Sequence, residues 1–189
     1  MRLVGLATVS ALFFALPYIL ESVVGDSTLR LQVDLRSILL LSAAVAFNSA
    51  SEELVFRGLL YAFFMKTFSK KWISASLVTL LFVASHFRSL QELQLSRVMF
   101  LLGTGSLFIT VRIVFERWWA AIPVHFFHNF ALYLLYGFGP YRGLTDGATP
   151  LSATWITVAA TAIVASALWW LKHGKNMDGD PIHPREEER

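Results

Sequence analysis

Six apolar runs, separated by short polar segments, dominate the chain. They cover residues 3–24, 37–66, 71–88, 97–115, 118–137 and 151–171. Each is close to, or longer than, the roughly 20 residues that a helix needs to cross about 30 Å of hydrocarbon. The pattern therefore predicts an all-α fold, a polytopic transmembrane bundle of about six spans.

Two of these runs need a closer reading. The second has 30 residues and would form a helix of roughly 45 Å, too long for one straight span. Such a helix must tilt, protrude or break, and the polar stretch NSAS, residues 48–51, is the expected break point. The first run is long for the apolar part of a signal peptide and no small-residue cleavage site follows it, so we expect a retained span.

Basic residues are unevenly shared between the two sides of the predicted bundle. With six spans both termini lie on one side, which carries ten Lys and Arg residues against five on the other. The positive-inside rule then places both termini in the cytoplasm, at the cell (inner) membrane. We expect residues 1–171 to form a single transmembrane domain and residues 172–189 to form a disordered cytoplasmic tail.

Composition agrees with a membrane protein and excludes several functions. Hydrophobic residues make up 56% of the chain, its mean hydropathy is +0.57, and only 15% is charged, against about a quarter in soluble domains. The absence of cysteine excludes a disulfide framework, a thiol nucleophile and a Cys-ligated metal. No extended polar surface carries clustered Lys and Arg, so we expect no nucleic-acid partner.

Few strongly polar side chains interrupt the predicted spans, and these are the candidate functional residues. Glu53 and Arg57 are four residues apart and can pair on one helix face, whereas Glu52 lies about 100° away. The spacing therefore predicts an ion pair that leaves Glu52 free. The other candidates are His86, His125 and His128, with Asn48 and Asn129 as polar companions.

Three of the candidates lie in the predicted span 118–137. His125 and Asn129 are four residues apart, and His128 lies close to them around the helix, so all three can face one cavity. Carboxylate, imidazole and amide groups in one cavity can activate a water, hold an oxyanion and deliver a proton. A purely structural reading stays open as well, with the charges as a buried ion pair and the histidines as interhelical hydrogen bonds.

Three motifs resemble those of the CPBP family, the CAAX-protease and bacteriocin-processing group formerly called Abi. EELVFR, residues 52–57, matches its Glu-Glu-x-x-x-Arg motif, and FVASH, residues 82–86, matches its Phe-x-x-x-His motif. HFFHN, residues 125–129, matches its His-x-x-x-Asn motif. Each motif is weak by itself, but three in the family's order within apolar runs are specific.

The resemblance implies a glutamic-type intramembrane endopeptidase that uses no metal and no cofactor. In such a family the first glutamate and the histidine of the second motif activate water, roles that fall to Glu52 and His86. The third motif holds the oxyanion, which assigns that role to His125 and Asn129. The supporting residues would be Glu53, Arg57 and His128.

The expected partners are the lipid bilayer and a membrane protein or peptide that is cut in or near it. Candidate substrates are a bacteriocin leader, a C-terminal sorting signal and a prenylated tail. Prenyl-protease members of the family tend to have eight spans, so a chain with about six favours a bacterial role in peptide or protein processing. The sequence leaves the oligomeric state open.

Other classes of function remain open at this point. A metal-dependent membrane protease could hold Zn²⁺, although the chain lacks a His-Glu-x-x-His helix. Its ligands would come from Glu52, Glu53, His86, His125 and His128. A non-catalytic immunity or scaffold protein could bind a peptide without cutting it, and an ion or proton transporter could use the same buried carboxylates.

Overall fold

The computed structural model describes residues 34–89 and 93–136, whose regular secondary structure is entirely helical. The all-α prediction is therefore confirmed for this part of the chain. The predicted spans 3–24 and 151–171 and the predicted tail 172–189 lie outside the described residues. The helices are α1 Leu35–Phe68, α2 Lys71–Ser85, α3 Leu95–Phe115 and, after a 3-10 turn at Trp118–Ala120, α4 Ala121–Tyr136.

The outer surface of the helices is strongly apolar. Within the described residues, α1 and α3 are long and apolar enough to cross a membrane, and α2 is a shorter apolar helix. Large side chains point away from the bundle; Phe47 on α1 is 77% exposed and Trp72 on α2 is 70% exposed. Extended apolar surfaces of this kind mark contact with lipid or with another protein.

The polar stretch at residues 48–51 does not interrupt α1. The Ser51 hydroxyl donates to the Phe47 carbonyl at 2.8 Å, and the Asn48 amide donates to the Glu52 side chain, so these groups are satisfied along the helix. The expected break at NSAS is wrong, because α1 passes through these residues and is continuous from Leu35 to Phe68, 34 residues in all. Its turn widens instead at the π-helical segment Leu54–Leu60, directly after the two glutamates. Such widened turns are frequent at functional sites.

One face of α1 is buried at every fourth residue. In a regular α-helix this spacing drifts by about 40° per step, and the wider turn of the π-helical segment counteracts the drift. The first part of α1 packs most extensively against α4. Apolar and charged buried positions therefore share one stripe, which consists of Leu41, Val45, Ser49, Glu53, Arg57 and Tyr61.

Two apolar clusters join the helices around the buried charges. The larger connects α2, α3 and α4 through Phe82, Phe108 and Val124. The smaller connects α1 to α2 and α3 around Tyr61 and Val78. Between lipid-embedded helices such contacts stabilise by close packing, since the lipid chains are as apolar as the side chains.

The beginning of α1 is capped by a side chain. The Asp34 carboxylate accepts hydrogen bonds from the Ser37 hydroxyl at 3.0 Å and from the backbone N–H groups of Arg36 and Ser37. These bonds, led by that of the Ser37 hydroxyl, hold the pKa of Asp34 below its usual range. Asp34 thus fixes the residue at which the long helix starts.

Candidate active site

The two adjacent glutamates of α1 lie in different environments. The Glu53 side chain is fully buried, whereas 22% of the Glu52 side chain is exposed. Neighbouring residues on a helix are about 100° apart, so one carboxylate enters the helix interface and the other stays at its edge. The two groups consequently have different partners.

Glu53 forms the predicted ion pair with Arg57. One guanidinium nitrogen donates to Glu53 Oε1 at 3.0 Å, and both side chains are completely buried. The guanidinium carbon also lies 4.6 Å from the ring centre of Phe82 and 5.2 Å from that of Phe108. The pairing prediction is confirmed, and the aromatic faces add a second source of stabilisation for the buried cation.

The other end of the guanidinium is held by the backbone of α3. Arg57 donates to the Gly105 carbonyl at 3.1 Å. A side chain at position 105 would bring its Cβ within 3.0 Å of Phe82 and 3.2 Å of Thr79. Glycine therefore allows α3 to approach α2 closely, as small residues do where helices pack in membranes.

His125 of α4 connects the two glutamates. Its Nδ1 lies 2.7 Å from Glu53 Oε1, and its Nε2 lies 3.8 Å from Glu52 Oε2. Glu53 also accepts from Arg57 and acts as a carboxylate, which only accepts, so His125 Nδ1 must carry the hydrogen. This bond fixes the orientation of the ring and directs Nε2 towards Glu52.

His86 reaches the same carboxylate from the end of α2. Its Nδ1 lies 2.7 Å from the Phe82 carbonyl, which can only accept, so Nδ1 is the donor. Nε2 lies on the other side of the ring, 4.0 Å from Glu52 Oε2. Arg97 of α3 donates to the His86 backbone carbonyl at 3.0 Å and ties the end of α2 to α3.

The two oxygens of the Glu52 carboxylate therefore have different surroundings. Its Oε1 accepts from the Asn48 amide at 2.8 Å. Its Oε2 is buried and makes no hydrogen bond within the described residues. The two Nε2 atoms at 3.8 and 4.0 Å from Oε2 are beyond direct hydrogen-bond distance, so they face the carboxylate oxygen without bonding to it.

The remaining candidates lie on α4. His128 is buried, with its ring 5.4 Å from that of Phe100 and 6.0 Å from that of Phe108. Its Nδ1 is 3.1 Å from Asn129 Oδ1, which accepts the bond. Asn129 follows His125 by one helical turn, so the two share a face, but their joint action on one substrate stays a prediction.

Some neighbours of the site have no role assigned to them by the sequence. Asn48 precedes Glu52 by four residues, a spacing that is visible in the sequence. Tyr133 continues the line of His125 and Asn129 by another turn of α4. Among residues 34–89 and 93–136 no group of three or more His, Asp or Glu is placed to hold a metal ion.

A comparison with protein families identifies the chain. The profile of the Type II CAAX prenyl endopeptidase Rce1-like family matches residues 34–131, just over half of the chain, and the protein belongs to this family. The match confirms the resemblance indicated by the three motifs and covers α1, α2, α3 and most of α4. No curated protein and no solved structure matches the chain. Family and apolar helices together indicate a membrane protease with a peptide or protein substrate.

Proposed function

We propose that the protein is a glutamic-type intramembrane endopeptidase whose catalytic residues are Glu52, His86, His125 and Asn129. One observation carries the proposal. The buried Oε2 of Glu52 faces two imidazole nitrogens at 3.8 and 4.0 Å and forms no hydrogen bond within the described residues. A water needs two to four polar partners, and Glu52 Oε2 together with Nε2 of His86 provides two of them.

The orientation of the two histidines suggests how the water is activated. His86 keeps its hydrogen on Nδ1, so its Nε2 lone pair can accept one hydrogen of the water. Glu52 Oε2 removes the other proton as the water oxygen attacks the peptide carbonyl. Glu52 then passes this proton to the leaving amine, which restores the carboxylate.

The negative charge that develops on the substrate carbonyl needs donors. His125 Nδ1–H is engaged by Glu53, so Nε2 donates to the oxyanion when the ring is doubly protonated. Glu53 stabilises that cation, much as a carboxylate stabilises the imidazolium of a catalytic triad. The Asn129 amide is the second proposed donor.

The substrate and the topology form part of the same proposal. Of the three substrate candidates, the prenylated C-terminal tail is the one that the family description names, so it is the first to test.

We further propose six spans with both termini cytoplasmic, a single domain at 1–171 and a cytoplasmic tail. Because the chain has no cysteine, the single substitutions Ser69→Cys and Ser89→Cys introduce thiols that can be labelled selectively. The proposal expects these two positions on opposite sides of the membrane.

Cleavage by the purified protein in proteoliposomes tests the function. A prenylated peptide, its unprenylated counterpart and leader-type peptides would be incubated with the wild type and with Glu52→Gln. Glu52→Gln should remain folded and lose at least about 10²-fold in rate, the typical effect of a general base. Glu116→Gln, at the exposed end of α3, is the matched control and should cleave normally. Full activity of Glu52→Gln would refute the mechanism.

A further inference from the structure

Asn48 makes a direct contact with the proposed base. Its side-chain Nδ2 donates to Glu52 Oε1 at 2.8 Å. The contact follows from helix geometry, because side chains lean towards the N-terminus and residue 52 therefore lies over residue 48. An amide is a suitable partner here, since it offers a hydrogen-bond donor without bringing a charge.

The contact distinguishes the two oxygens of the carboxylate. Oε1 is occupied by Asn48, while Oε2 faces the Nε2 atoms of His86 and His125. A carboxylate bonded through one oxygen has lost rotational freedom, and its other oxygen keeps a fixed direction.

The neighbouring polar residues of α1 behave differently from Asn48. The hydroxyls of Ser42 and Ser51 donate to backbone carbonyls four residues earlier, on Ile38 and Phe47. Those bonds are local to the helix and reach no candidate residue. Asn48 is itself exposed, so its burial contributes little to the stability of the bundle.

We propose that Asn48 is a positioning residue: its amide holds Oε1 of Glu52, so that Oε2 receives the proton of the attacking water. This inference rests on the proposed function, because it assumes that Glu52 is the base. Asn48 touches neither water nor substrate in this scheme and acts only through the carboxylate.

Substitution at Asn48 should change catalysis in a way that a structural role would not. Asn48→Leu has the same branching and number of side-chain heavy atoms but no donor, and we expect kcat to fall about tenfold with KM unchanged. Because the ionised carboxylate loses a donor, the acid limb of the kcat–pH profile should move to higher pH. Asn48→Asp adds a second carboxylate and should move that limb further, by about one pH unit or more. Asn48→Gln retains an amide and should restore the rate to within about threefold of the wild type.

Other titratable groups near Glu52 remain the same in these variants, so the shift reports on Asn48. They are Glu53 and Arg57 on α1, His86 on α2, and His125 and Tyr133 on α4, with Arg97 of α3 on the His86 carbonyl. Ser51→Ala removes a hydrogen bond from the same part of α1 and is the matched control, with an unchanged pH profile.

The experiment measures kcat, KM and pH profiles of these variants in proteoliposomes, alone and combined with Glu52→Gln. In the Glu52→Gln background Asn48→Leu should cause no further loss. If Glu52→Gln is inactive while Asn48→Leu and Asn48→Asp keep the wild-type rate and profile, the positioning role is overturned and the proposed function stands. If Glu52→Gln is fully active, the proposed function itself fails. Should Asn48→Leu not fold, the nearly isosteric Asn48→Asp gives the same decision.

Discussion

His125 donates its Nδ1–H to Glu53 Oε1 over 2.7 Å, and this bond joins α4 to the buried ion pair of α1. The same carboxylate oxygen accepts from Arg57 at 3.0 Å. The ion pair therefore has two effects: it neutralises a buried cation, and it fixes the direction of a ring whose second nitrogen points at Glu52. On the proposed mechanism Glu53 therefore serves both stability and catalysis, and substitutions can separate the two roles.

Changes at His125 can remove one ring nitrogen at a time. The amide of asparagine lies near the Nδ1 position of histidine and that of glutamine near Nε2. His125→Asn should keep the bond to Glu53 and a near-normal melting temperature, but lose about 10²–10³-fold in rate with its oxyanion donor. His125→Gln should melt at a lower temperature and retain more of the rate. Comparable cleavage by His125→Asn and the wild type would contradict the assigned role.

Chelators should leave cleavage intact. If Glu52 and His86 activate the water unaided, treatment with EDTA or 1,10-phenanthroline removes nothing that the reaction needs. A zinc protease treated in parallel shows that the chelation is effective. Loss of activity that added Zn²⁺ restores would instead support the metalloprotease, with Glu52, His86 and His125 as the first ligands to test.

Local features of this protein were predictable from its sequence. The apolar runs give the bounds of α1, α2, α3 and α4 to within three residues, because helix length and hydropathy are local properties. The Glu53–Arg57 pair follows from a four-residue spacing, and so does the contact of Asn48 with Glu52, although the spacing does not show what that contact does.

Contacts between distant residues were not predictable in the same way. The bond of His125 to Glu53 links residues 72 positions apart, and the Gly105 carbonyl reaches Arg57 across 48 positions. Both depend on how α3 and α4 pack against α1. The widened turn at 54–60 keeps Arg57 and Tyr61 on the buried face of α1. A sequence pattern based on regular helix geometry does not reveal such a turn.

Gly105 should tolerate no side chain, whereas Gly58 should tolerate a small one. A Cβ at Gly105 would lie 3.0 Å from the ring of Phe82, which is packed tightly against neighbouring aromatic rings. Gly105→Ala should destabilise the protein by about 1–3 kcal/mol through overpacking and lower its melting temperature. Gly58→Ala, the matched control, meets its nearest atom at 3.5 Å and should melt at or slightly above the wild-type temperature. Equal melting temperatures of the two variants would argue against the close approach of α3 to α2.

The last prediction separates the two functions of Glu53. Glu53→Gln leaves Arg57 as a buried cation without a counter-charge, which costs about 3–5 kcal/mol when one partner of a buried pair is removed. It also deprives His125 of the anion that orients it. We therefore expect both the melting temperature and the cleavage rate to fall. Arg57→Leu should share the instability, because Glu53 is then the unpaired charge.

Combining Glu53→Gln with Arg57→Leu separates the effect of Glu53 on stability from its effect on the cleavage rate. The double variant Glu53→Gln, Arg57→Leu removes both charges of the pair. No unpaired buried charge is then left there, so the melting temperature should recover in part. The rate should not recover, because a neutral amide neither fixes the His125 ring as the carboxylate does nor stabilises its doubly protonated form. Melting curves and cleavage assays on the same preparations provide the measurement. Recovery of the rate together with the melting temperature would mean that Glu53 serves stability alone, and that Glu52 works without an oriented His125.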